Sequence, residues 1–115
     1  MDRISDRKVL LVGIDGLILN RALISGRAPT LKNLSENGFF VETVVDLPTI
    51  SGPSWSTLLT GKRLDVHKVF DNYFVDHNLA AAPDFLTQAL KHDDSLITYA
   101  AAGWPPLIDP EDVGP

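Results

Sequence analysis

Cysteine is absent from all 115 residues, so the chain has neither a disulfide nor a thiolate metal site. That absence suits a reducing or an oxidising compartment equally. Basic clusters are missing too: Lys and Arg total 10 against 15 acidic residues, for a formal net charge of −5. Nucleic-acid binding through a basic face is thereby excluded, and a phosphate substrate would need metal ions or local dipoles to neutralise it. Apolar runs last only a few residues, too short for a signal peptide or a membrane span. With Met1 as the true start, the expected location is the cytoplasm. No internal repeat or low-complexity tract occurs, and nothing in the sequence fixes an oligomeric state.

What is present is ordinary globular material. Hydrophobic residues make up 44% of the chain, enough to argue against disorder. The length fits one domain or a piece of one, with a core of its own. Lys8-Val-Leu-Leu-Val-Gly-Ile14, closed by Asp15-Gly16, reads as a strand buried on both faces. Residues 28–38 read as a helix, with Pro29 in its first turn, Leu31 and Leu34 on one face and Asn37-Gly38 as the stop. Phe39-Phe-Val-Glu-Thr-Val-Val45 reads as a second strand. Residues 83–91 form another helix, with Phe85, Leu86, Ala89 and Leu90 on one face. Ser95-Leu-Ile-Thr-Tyr-Ala-Ala-Ala102 reads as a third strand.

With the short helix described next, the order is strand, helix, strand, helix, helix, strand. This predicts an α/β fold, a layered, mostly parallel sheet flanked by helices. Residues 104–115 are proline-rich and acidic, a loop leaving a strand, and the chain reads as truncated.

The most informative segment is Leu47-Pro-Thr-Ile-Ser-Gly-Pro-Ser-Trp-Ser-Thr-Leu-Leu-Thr-Gly61. Pro53 suits the first turn of a helix and Gly61 the position after its last turn. Ser51 then stands just ahead of that helix, facing its free N–H groups and positive dipole end, which favour an anion. Taken alone it is a helix cap. Asp15 at the end of the first strand is a hard oxygen donor for a divalent cation, or simply part of an Asp-Gly turn. Together the two residues predict a metal-activated serine.

Val12-Gly-Ile-Asp15-Gly16, Ala28-Pro-Thr-Leu31, Pro48-Thr-Ile-Ser51-Gly-Pro53, Thr57-Leu-Leu-Thr-Gly61, His67 and Asp71-Asn72-Tyr-Phe74 resemble the alkaline phosphatase superfamily. They are most similar to its type I phosphodiesterase/nucleotide pyrophosphatase branch, from about Lys8 to Gly103. The resemblance implies one alkaline-phosphatase-like catalytic domain, of which residues 1–115 are the N-terminal part. It implies a metal-dependent phosphodiester hydrolase with Ser51 as nucleophile and metal ligand, forming a phosphoserine intermediate. Asp15 matches a ligand of one of two zinc ions, and Asn72 a donor to a phosphoryl oxygen. Further Asp and His ligands of that family lie in a later part of its fold, so residues 1–115 alone are expected to hydrolyse little.

Two departures stand out. Ser54 occupies a position where many relatives carry Asn, and Lys68 follows His67 where the family often has Gly. His67, His77 and His92 are read as surface or capping residues. A sulfatase ranks lower, because its signature requires Arg two residues after the proline and this chain has Trp55. Phosphomonoester or phosphonate hydrolysis, and a non-catalytic binding module, are the remaining alternatives. Trp55, Tyr73 and Phe74 are read as core packing before base stacking.

Overall fold

A computed structural model describes residues 7–115. The opening residues 1–6, expected to carry no leader, lie outside the described residues. The chain divides into two units, Met1–Val44 and Val45–Pro115.

In the first unit, α1 (Leu19–Ile24) and α2 (Pro29–Asn37) pack against each other. Pro29 opens α2, where a missing N–H is harmless. At its far end the Gly38 N–H returns to the Leu34 carbonyl at 2.9 Å. Asn20 Nδ2 donates to Glu42 Oε1 at 3.2 Å, tying α1 to the segment after α2. Neither helix buries a residue.

The second unit contains α3 (Ser51–Thr60), α4 (Leu64–His67), a 3-10 turn at Leu79–Ala81, α5 (Phe85–His92) and a 3-10 turn at Pro105–Leu107. Gly61 ends α3 at φ 67°, in the left-handed region a glycine adopts without strain. Asp84 caps α5, its Oδ1 accepting from the N–H groups of Leu86 (2.8 Å) and Thr87 (3.1 Å). Val69, Phe74, Leu79 and Val113 form the core, with Leu59, Trp104 and Leu107 packed against it.

The expected parallel sheet is not found. Among the described residues there is no strand, so the layered α/β architecture is overturned in favour of helices and turns. The three segments read as strands are among the most exposed apolar stretches of the chain, with Val44 97% and Ile97 99% exposed. An apolar run forms a strand only where a neighbouring strand takes up its N–H and C=O groups and other layers cover its faces. Residues 8–14, 39–45 and 95–102 meet neither condition among the described residues. Their branched, apolar composition is compatible with strand but does not create a partner. Among the described residues no helix is long and apolar enough to cross a membrane.

Candidate functional site

Helix α3 begins one step earlier than its proline suggests. Ile50 is the N-cap residue, in extended conformation and without a side-chain cap, and Ser51 is the first helical residue. The Ser54 N–H returns to the Ile50 carbonyl at 3.1 Å, and Pro53 has no N–H to satisfy. The Gly52 N–H is taken by a residue twenty positions away: it donates to Asn72 Oδ1 at 2.7 Å. Sequence reasoning set Ser51 and Asn72 side by side on resemblance alone. The fold brings Asn72 to the residue next to Ser51.

That bond also fixes how the Asn72 amide lies. Only the carbonyl oxygen can accept from Gly52, so the two N–H donors of Nδ2 take no part in that bond. The first turn of α3 spends the Gly52 N–H on Asn72, so this amide is a support for Asn72 and not an anion contact of its own.

The close approach depends on the absence of a side chain at Gly52. A β-carbon there would overlap the Asp71 carbonyl and press on Asn72 Oδ1. Gly52, Ser56 and Thr60 recur every fourth residue and are all buried, so one face of α3 is small enough for other chain segments to lie close. This spacing was readable in the sequence and was missed. Along that face Thr60 Oγ1 donates to the Ser56 carbonyl at 2.6 Å, while the buried Ser56 Oγ has no hydrogen-bond partner.

Asn72 itself sits in a loop closed at its base. The Asn78 N–H donates to the His67 carbonyl at 2.8 Å, and Asn78 Nδ2 to the Val66 carbonyl at 3.3 Å. Within the loop the Tyr73 N–H donates to Asp71 Oδ1 at 2.8 Å. Lys68, Phe74 and Asp76 adopt positive φ values of 55–56°, which turn the chain sharply. The Lys68 conformation explains why glycine suits that position. Tyr73 is exposed, whereas Phe74 is buried with its ring 5.8 Å from Trp104 and edge-on to His77. Phe74 is therefore a core residue, as read, whereas Tyr73, read the same way, is not.

The three histidines differ. His92 lies exposed in the last turn of α5. His77 Nδ1 accepts from the Leu79 N–H at 3.2 Å, so Nε2 carries the proton and donates to the Glu111 carbonyl at 3.0 Å. His67 is neither surface nor simple cap: it is fully buried. Its environment holds its pKa below the ordinary 6.5, chiefly through burial, against an upward pull from Asp65.

Asp15 lies exposed in the turn after the first apolar segment, within the first unit, while Ser51 and Asn72 belong to the second. Among the described residues no group of three or more His, Cys, Asp or Glu side chains is arranged to hold a metal ion. A cleft of about 670 Å³ lined by Asp46, Leu47, Arg63, Leu64, Asp65, Lys68 and Phe70 includes neither Ser51 nor Asn72. Arg63 closes across it onto Asp46 with two contacts of 3.2 Å, so its guanidinium is already engaged.

A model of the type I phosphodiesterase / nucleotide pyrophosphatase family matches residues 9–106. The chain belongs to that family. The match spans Asp15, α3 with Ser51, the Asn72 loop and α5. It places the protein among phosphodiesterase- and nucleotide pyrophosphatase-type hydrolases, a generally metal-dependent group. No solved structure matches the chain.

Proposed function

We propose that the protein hydrolyses a small phosphate diester of the nucleotide pyrophosphate type in the cytosol, with Ser51 as nucleophile and Asn72 as anion donor. The observation that supports this reading is the Gly52–Asn72 hydrogen bond, which ties Asn72 to the residue next to Ser51 in the first turn of α3. Family membership supports the reaction class.

In this reading the Ser51 oxygen bonds to phosphorus as its proton passes to water, and the bond from phosphorus to the leaving-group oxygen breaks, that oxygen taking up a proton from water. The product is a phosphoserine that still carries the substrate's other ester group, and water cleaves its serine oxygen–phosphorus bond to regenerate the hydroxyl and release a phosphate monoester. Negative charge grows on the non-bridging oxygens during attack, and donors already fixed in place stabilise it most effectively. Asn72 is such a donor, since its carbonyl end is already held by Gly52 and its amide need not reorganise.

Asp15 and Ser51 are the oxygen donors this chain offers to a divalent metal, zinc in this reading. The described residues do not by themselves assemble a metal centre, so no step is assigned to one.

The test is Ser51→Ala in the protein expressed from its complete reading frame, assayed on bis-p-nitrophenyl phosphate. Turnover is expected to vanish while the circular dichroism spectrum is unchanged. Activity near that of the parent protein would remove Ser51 from the mechanism.

A further inference from the structure

One fully buried titratable side chain has no part in the chemistry above: His67, at the end of α4. Its three polar groups join the two ends of one loop to α3. Nδ1 accepts from the Val69 N–H at 3.0 Å. Nε2 lies 2.9 Å from Thr57 Oγ1 on α3. The backbone carbonyl accepts from the Asn78 N–H at 2.8 Å. Val69 and Asn78 lie toward the two ends of the loop that carries Asn72, and Thr57 lies on the helix that carries Ser51.

The geometry allows one protonation state. An N–H donor reaches Nδ1, so Nδ1 must keep its lone pair, and the single proton of the neutral ring resides on Nε2. From there it donates to Thr57 Oγ1. A second proton would set two N–H donors against each other at Val69 and break the junction. The charged group acting on the ring is Asp65, within α4 itself. Neither α3 nor the Leu79–Ala81 turn carries an ionisable side chain.

We propose that His67 is a positioning residue for the Ser51–Asn72 site, holding the Asn72 loop against α3 through Thr57 in its Nε2-protonated, neutral form. The loop is then fastened to α3 at two points, Thr57 through His67 and Gly52 through Asn72. Loss of the first fastening loosens the second, because Asn72 hangs from the loop whose base His67 sets. The chemistry this serves rests on the reading of Ser51 and Asn72 above. The fastening itself is a property of the folded chain and is testable without turnover.

The test is nuclear magnetic resonance on the isotope-labelled 115-residue chain and its Thr57→Val and Thr57→Ser variants. In the parent chain the His67 ring nitrogens should show the Nε2-protonated tautomer. Thr57→Val, which keeps shape but removes the hydroxyl, should speed exchange of the Gly52 amide on the order of tenfold or more, while Thr57→Ser restores it. In the complete-frame enzyme Thr57→Val should lower kcat on the order of tenfold to a hundredfold with KM little changed, as a displaced donor does. Should Thr57→Val fail to fold, acid titration of the parent chain replaces it, and the Gly52 amide must then shift with the same midpoint as the His67 ring. An Nδ1-protonated ring, a Gly52 amide indifferent to Thr57→Val or to His67 protonation, or a change shared equally by all buried amides would overturn the proposal. Intact tautomer and amide coupling in an enzyme that works without Ser51 would instead remove only the functional reading.

Discussion

Phe39 and Phe74 are the same residue type in the two units of one chain, 92% exposed in the first and 7% exposed in the second. Hydrophobicity does not separate them; the local chain path does. Phe74 sits in a loop folded back by three positive-φ residues and closed by the His67–Asn78 bond, which turns its ring onto Trp104. Phe39 follows α2 in a run that has no ladder partner among the described residues. The same contrast separates the site residues. Asn72 is fixed to the residue beside Ser51 by local geometry of the second unit, while Asp15 lies exposed in a turn of the first.

The comparison is broken first by Phe74→Ala. Removing a buried aromatic ring typically costs about 3–5 kcal/mol, and the unfolding free energy from urea titration should fall by that order. Next, Gly52→Ala should cost about 1–3 kcal/mol by overpacking and release Asn72, because the added carbon meets the Asp71 carbonyl. A Gly52→Ala chain as stable as the parent would deny the close approach. Smallest of all, Phe39→Ala should change stability by less than about 0.5 kcal/mol, as surface substitutions do. A large loss there would mean that the first unit buries more than its exposure shows.

Acidity sharpens the same contrast through His67. Its pKa is lowered by burial in the fold, so as pH falls the unfolded chain takes up the proton first. The stability that the neutral ring contributes is complete above the ordinary value of 6.5 and is lost as pH drops below it toward the lowered value of the folded state. The urea midpoint should therefore decline on acidification below 6.5, and His67→Gln should flatten that decline. A midpoint with equal pH dependence in both proteins would contradict the buried, neutral ring.

The helices were legible because their signals are local. Pro29 and Gly38 bracket α2, Gly61 stops α3 in the left-handed conformation, and the apolar spacing of residues 85–90 marks α5. The strands misled for a physical reason. Residues 8–14 and 39–45 have the composition of buried strands, but a strand is defined by its partner, and composition is silent about partners. Ser51 was legible from its place at the start of the helix and Asn72 from resemblance, and the contact that joins Asn72 to Gly52 became visible only with the fold, since it spans twenty residues. Gly52 held a readable clue, a small residue repeated with Ser56 and Thr60 along one helical face. His67 held none: its burial and its bond to Thr57 depend on how α4 returns to α3, which no local pattern encodes.

The measurement closest to the centre of this account is capture of the covalent intermediate. The complete-frame protein would be mixed with a phosphate diester, quenched in acid during turnover and digested for mass spectrometry. The account predicts one added phosphoryl group, still bearing the substrate's retained ester substituent, on the peptide containing Ser51, absent when substrate is omitted and absent from Ser51→Ala. Steady turnover with that peptide unmodified, or with the phosphoryl group on another residue, would contradict it.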